Sequence, residues 1–208
     1  TTKPFIILLL FAFFSVKFFY LYFYVNYKYP LEMRNLKSEE QEKVFKKLKK
    51  FIGENTEKLL KGHRLFLHKQ KVFHVSDELE KNASSIPKDD LVSIGSCLGR
   101  FTKSMHFKLT ITSLHVLSKY ALHKVWLKNS AEMNFLYANN ILKSHILKMS
   151  EDVPINANVF VFNQNDLPLG FGVTAKGSTH LSNIEGNTLV VLHQADTGEY
   201  IRDEERIV

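Results

Sequence analysis

Apolar residues recur at three- and four-residue spacing through Val44, Phe45, Leu48, Phe51 and Ile52, which is the period of a helix with one buried face. Ser38-Glu39-Glu40-Gln41 stands ahead of that run and predicts its start as a capping box, the Ser38 hydroxyl on an early backbone N–H and Gln41 reaching back. Acidic residues in the first turn suit the helix dipole, and Gly53 predicts the stop. Lys46, Lys47, Lys49 and Lys50 fall on the outer face, as a solvated surface or a phosphate-facing patch. A second short helix is predicted around Leu59 and Leu60, ended by Gly62. Arg64-Leu65-Phe66-Leu67-His68 and Val72-Phe73-His74-Val75 flank Lys69-Gln70-Lys71, and their β-branched and aromatic content predicts a hairpin. Residues 77–82 read as a short helix and Asp89-Asp90 as a loop. Residues 91–103 combine a buried strand with glycines at Gly95 and Gly99 and a basic end. Phe107, Leu109 and Ile111 share one side of a further strand, and Leu114, Leu117 and Ala121 mark a helix. Residues 33–123 thus read as an α+β domain, strands paired locally and helices on one face.

From Lys124 onward strands dominate. Val125-Trp126-Leu127 is a strand, residues 131–137 a short helix with Phe135 and Leu136 inward, and Ile141, Leu142, Ile146 and Leu147 build a second helical turn. Val159-Phe160-Val161-Phe162 is a strand, Asn163-Gln164-Asn165-Asp166 a turn, and the next strand runs through Leu167 to Ala175. Leu189-Val190-Val191-Leu192-His193 makes a fourth, and Glu199-Tyr200-Ile201-Arg202 a fifth. Short strands punctuated by turn signals predict a small closed β structure plugged by one or two helices over residues 124–208. Within it, Gly170-Phe171-Gly172 lets the strand bend, or lets another backbone approach closely. A dinucleotide loop would need a third glycine and a following helix, and position 175 is Ala175.

Residues 5–25 form an apolar and aromatic run broken by Ser15 and Lys17, long enough to cross a hydrocarbon core. It reads either as a membrane or targeting segment or as sequence upstream of the native start, which is expected at Met33, just ahead of the capped helix. Three Lys and one Glu precede Met33, so the net charge of +7 for the whole chain becomes +5 for residues 33–208. An excess of cations of this size points to a polyanionic partner, nucleic acid or an anionic membrane. A single cysteine, Cys97, excludes an intrachain disulfide and Cys-rich zinc sites and fits a reducing compartment. With small and apolar neighbours, Cys97 reads as a core thiol. His63, His68 and His74 lie close in sequence without a pattern that converges on a metal. For catalysis the candidates are His193 with Asp196, or Cys97 with a histidine; His193 follows a buried strand and reads as structural.

Further runs carry a resemblance. Leu167-Pro168-Leu169-Gly170-Phe171-Gly172-Val173, His193-Gln194-Ala195-Asp196-Thr197-Gly198-Glu199-Tyr200-Ile201-Arg202 and Lys124-Val125-Trp126-Leu127-Lys128 resemble the PUA domain of a ribosome-assembly factor. Upstream, Met33-Arg34 with the capped helix, Phe51-Ile52-Gly53-Glu54-Asn55, the hairpin at Val72 to Ser76, and the segments Leu91-Val92-Ser93-Ile94-Gly95 and Phe101-Thr102-Lys103 are similar to the same family, Nip-seven, the 60S ribosome biogenesis proteins. The resemblance covers residues 33–208 in order; the extension before Met33 has no counterpart in it. It implies an α+β fold, an N-terminal α/β sandwich-like domain followed by a PUA-type mixed β pseudobarrel, with no enzyme activity, cofactor or metal. It further implies RNA binding through the PUA domain, action in pre-60S particles in the nucleolus of the nucleus during pre-ribosomal RNA processing, and partners among pre-ribosomal RNA and other large-subunit assembly factors. Such binding uses Lys and Arg for phosphates and reads shape more than sequence. Lys128, Lys143, Lys148, Lys176 and Arg202, with Gly170, are the positions expected on that face. The chain departs from the family pattern at Ala138, which replaces a glycine before Asn139, and at Lys143-Ser144-His145-Ile146-Leu147-Lys148, which lacks the usual glycine turn. That departure moves the expected contact toward Lys176 and His180.

Overall fold

The computed structural model describes residues 33–86 and 93–203. Two sheets carry the architecture. The first is an antiparallel meander of β1 (Arg34–Asn35), β2 (His63–His68), β3 (Lys71–Ser76), β4 (Ser96–Phe101) and β5 (Phe107–Leu109), in that spatial order. The long helix α1 (Ser38–Ile52) lies against it and buries Val44, Leu48, Phe51 and Ile52 completely. These side chains join Leu67, Val72, Leu98, Phe101 and Phe107 in one cluster, and each contributes about 1.5–3 kcal/mol by leaving water. Gly53 caps α1 at φ 56°, its N–H on the Lys49 carbonyl, as predicted. The shorter helices are α2 (Thr56–Leu60), α3 (Asp77–Ala83) and α4 (Leu114–Leu117). The predicted hairpin forms with Lys69-Gln70 as its turn. Residues 89–92 lie outside the described residues; β4 starts at Ser96, later than predicted, and Ile111 sits in a 3-10 turn while staying buried.

The start of α1 differs from the predicted cap. Lys37, not Ser38, is the N-cap residue, which brings Glu40 to the third helical position. The Glu40 carboxylate accepts the Lys37 backbone N–H at 2.9 Å and both guanidinium nitrogens of Arg34 at 2.7 and 2.8 Å. A doubly engaged carboxylate is a stronger acceptor than a hydroxyl or an amide, so the helix starts where Glu40 can serve it.

The second sheet is mixed: β6 (Lys124–Leu127), β7 (Ile141–Leu142), β8 (Ile146–Met149), β9 (Asn158–Phe162), β10 (Pro168–Thr174) and β11 (Leu189–Asp196) stand in the order β7-β11-β10-β9-β6-β8, with β6 and β9 parallel. It curls around Val125, Leu127, Ile141, Val159, Val161, Val190 and Val191, and α5 (Asn129–Leu136) plugs it with Phe135. The chain ends its described part in α6 (Glu199–Arg202). Two predicted elements are corrected here. The apolar pairs Ile141-Leu142 and Ile146-Leu147 form no helical turn; they belong to β7 and β8, joined by a 3-10 turn at Lys143–His145. Their spacing fits either state, and pairing of Ile141 and Leu142 with β11 and of β8 with β6 decides it. Residues 199–202 form one turn of helix instead of a strand, because Gly198 N–H turns back onto the Asp196 carboxylate at 2.7 Å.

Strand β9 joins the two sheets. All five of its residues are buried; Val159 and Val161 face the barrel, while Phe160 packs on Phe51 of α1 at 5.5 Å between ring centroids. Phe171 of β10 meets the same ring edge-on at 5.5 Å.

The Glu40 contact makes a pH prediction. Its hydrogen bonds to Arg34, then the Lys37 N–H, outweigh burial and hold the Glu40 pKa at about 2, from an ordinary 4.5. The stabilisation is therefore complete above about pH 4.5 and fades as pH falls toward 2. Glu40→Gln is expected to lower stability at pH 7 by about 1–2 kcal/mol and to flatten that acid limb, as read by denaturant unfolding across pH.

Candidate functional site

The barrel gathers several of its cations along one rim. Lys128 precedes α5, and its Nζ donates to the Ser144 carbonyl at 2.8 Å. Lys143 Nζ donates to the Leu181 carbonyl, next to His180 in the 3-10 segment Ser178–Asn183. Backbone bonds from Lys143 N to Thr188 O and from Ser144 N to Gly186 O, both 2.9 Å, tie this turn to the following loop. Lys128 is thus tied to the turn at Lys143–His145, and Lys143 to the segment that carries His180, although 52 positions separate Lys128 from His180 in sequence. An ammonium with one carbonyl partner keeps two N–H donors for a ligand. His145 sits beneath, and burial followed by the Lys128 charge lowers its pKa, which keeps it neutral beside the lysines.

Lys148 stands apart on β8, its Nζ 4.1 Å from the centroid of the Trp126 ring. The indole N–H donates to Asp166 at 2.6 Å. This cation–π pair is a feature that sequence reasoning missed; the signal was the single Trp in a strand beside a lysine-bearing segment. Lys176 is exposed just after β10, before the segment that holds His180. Among the described residues none of Lys128, Lys143, Lys148 and Lys176 is ion-paired to a carboxylate. The group therefore offers ammonium charge to an anion from outside, the requirement for phosphate contact.

Gly170 and Arg202 lie differently from expectation. Gly170 is buried, and a Cβ there would collide with the Ala195 carbonyl and the Phe135 ring. Its role is close packing of β10 on β11, and Gly172 does the same against Leu192 and Val191. Arg202 folds inward: one guanidinium nitrogen is 2.7 Å from Asp196 Oδ2, and the other donates to the Leu136 carbonyl. The Asp196 side chain is fully buried and also takes His193 Nε2 at 2.6 Å and the Gly198 N–H. Burial alone would raise the Asp196 pKa, but these bonds outweigh it and hold it below the usual carboxylate range. The result is a clasp fixing α6 to β11 and to the end of α5.

Ligand atoms of His193, Asp196 and Glu199 all lie within 4.8 Å of one another. Arg202 already supplies the cation for that carboxylate, and the outer side of the His193 ring rests on Phe135 at 5.1 Å. His193 is therefore built into the fold, as its place after a buried strand predicts. His63 and His74 stack at 4.3 Å; His74 Nε2 is directed at the Leu59 carbonyl and His63 Nδ1 at that of Lys61, both 3.0 Å, so the pair has structural partners. Cys97 is half-buried beside the Gly99 carbonyl and the Thr110 hydroxyl.

Two substitutions check this geometry. Asp196→Asn weakens three bonds to a buried anion and is expected to lower stability by about 2–4 kcal/mol, measured by thermal or denaturant unfolding; the parent loses the same contribution as pH drops below the ordinary carboxylate pKa of 3.8. Ala138 holds φ 65°, a left-handed conformation that favours glycine. Ala138→Gly is expected to leave stability unchanged or raise it by up to about 1 kcal/mol, a small upward shift of the unfolding midpoint.

Comparison with known proteins places this geometry. Residues 33–111 match the NIP7/UPF0113 pre-PUA domain and residues 123–205 the UPF0113 PUA domain. The 60S ribosome subunit biogenesis protein NIP7 of Saccharomyces cerevisiae is 46% identical over 179 residues, 84% of this chain and 99% of the relative. The NIP7 homolog of Dictyostelium discoideum is 45% identical over 177 residues, 83% of this chain and 99% of the relative. Among solved structures, a PUA-domain protein of Aeropyrum pernix superposes with a TM-score of 0.57 at 11% identity, over 85% of this chain and 91% of that one, which bears on the fold. With its pre-PUA and PUA domains in that order, and with relatives matched nearly end to end, the chain belongs to the NIP7/UPF0113 family.

Proposed function

We propose that this chain is a non-catalytic RNA-binding assembly factor of the large ribosomal subunit, acting on pre-ribosomal RNA during its processing. The observation that carries this reading is the near-complete match to relatives named 60S ribosome subunit biogenesis protein, at 41–46% identity over 99% of their length. The PUA domain supplies the physical means. Its exposed lysines of one sign attract a phosphate backbone, and their spread over a curved rim suits structured or single-stranded RNA read by shape. In this reading Lys128, Lys143, Lys148, Lys176 and His180 touch RNA, while Gly170 and Arg202 hold the strand and helix behind them.

Pre-60S particles and other large-subunit assembly factors are the assemblies it joins, in the nucleolus. A binding role with neither cofactor nor catalysis suits a site in which His193 and Asp196 are tied into a structural clasp. Among the described residues no helix is long and apolar enough to cross a membrane; the apolar run at residues 5–25 lies outside them.

Four phosphate contacts give a slope of about −3 for log K against log salt on single-stranded RNA, hence roughly a 50-fold loss of affinity between 50 and 200 mM salt. Affinity that stays flat over this range overturns the reading. Lys176→Glu is expected to weaken binding about 10-fold with the fold intact, and unchanged affinity removes Lys176 from the face. Crosslinking in cells followed by RNA sequencing is expected to recover pre-ribosomal RNA.

A further inference from the structure

We propose that the pre-PUA sheet carries a second RNA contact, a transverse row of basic side chains that binds a further stretch of the strand held by the PUA rim; this rests on the RNA-binding reading above. The row comes from strand register. His68 of β2 stands opposite Lys71 of β3, Lys71 opposite Arg100 of β4, and Arg100 opposite Lys108 of β5. Directly opposed residues share one face of a sheet, so four consecutive strands present a basic residue at one level. At about 4.8 Å per strand the row spans about 14 Å, the scale of a few nucleotides.

Like charges directly opposite one another destabilise a sheet. Arg100 and Lys108 are exposed, and among the described residues neither is ion-paired to a carboxylate. Residues 58–76 and 91–131, which hold all four strands, contain no Asp or Glu. Lys69 and Lys103 add charge in the adjoining turns. A sheet face built against its own repulsion is made for a polyanion.

RNA is favoured over an acidic protein as that polyanion. Protein interfaces place apolar and aromatic side chains at their centre and are poor in lysine, whereas β2, β3, β4 and β5 expose no large apolar side chain. Flexible ammonium and guanidinium groups in a line suit successive phosphates.

The test uses the full chain and a single-stranded RNA of mixed sequence, titrated across salt concentrations. In the Arg100→Gln/Lys108→Gln double variant, the slope of log K against log salt is expected to become shallower by about 1.4. Affinity at low salt is expected to fall about 10-fold. The unfolding midpoint is expected to match or exceed the parent's, because repulsion has been relieved, and an Arg100→Lys/Lys108→Arg variant should keep the parent slope. A double variant with the parent's slope and affinity overturns the proposal and leaves an acidic protein as the partner of the row. A parent chain that binds no RNA instead overturns the RNA-binding reading itself, so the two failures are separable.

Discussion

The fold turns on the double burial of β9. A strand whose residues are all covered has no solvent face, so it must be packed from both sides. Val159 and Val161 supply one core and Phe160 and Phe162 the other. Phe51 then meets Phe160 and Phe171, and the long helix of the first half is anchored on the back of the second-half barrel. The barrel cannot lose that helix without exposing aromatic rings, and the helix cannot leave without opening its own cluster. Burial on this scale fixes the relation of the two sheets, and with it the setting of every basic side chain outside them.

Charge is divided along the same lines. Carboxylates that lie inside the structure are committed to it: Glu40 binds Arg34 and the helix start, and Asp196 binds Arg202, His193 and the Gly198 N–H. Arg34 and Arg202 are therefore architectural cations despite their partial exposure. Among the described residues the lysines of the barrel rim, and Arg100 and Lys108 of the first sheet, have no such ion pairs, and their field is left to act on what approaches. A basic chain binds anions through those groups that the fold leaves available, and net charge alone does not identify them.

Much of the chain was legible from its pattern. The α1 period and its Gly53 stop follow from local spacing, and the β2–β3 hairpin and the strands β9, β10 and β11 follow from β-branched and aromatic runs bounded by turn residues. The family resemblance marked Ala138 as a glycine position, and its φ of 65° supplies the reason. Where the local signal was degenerate the expectation failed. Ile141, Leu142, Ile146 and Leu147 fit a helical turn as well as two short strands, and the cap of α1 moved by one residue once Arg34 could reach Glu40. Of the basic positions, Lys128 and Lys143 are held through the carbonyls of Ser144 and Leu181, whereas Arg202 turns inward and Gly170 is covered by β11.

By itself the sequence determined the kind of elements, their order, the excess of positive charge and the family resemblance, since all of these are written in residue type and spacing. Tertiary structure alone decided which cations are available and which are consumed. That depends on contacts between positions far apart in the chain, such as Arg202 with Leu136 or Lys143 with Leu181. It also depends on cross-strand register, which aligns Lys71, Arg100 and Lys108 at one level. A side chain's period tells which face it takes, but only the pairing of strands tells what stands beside it.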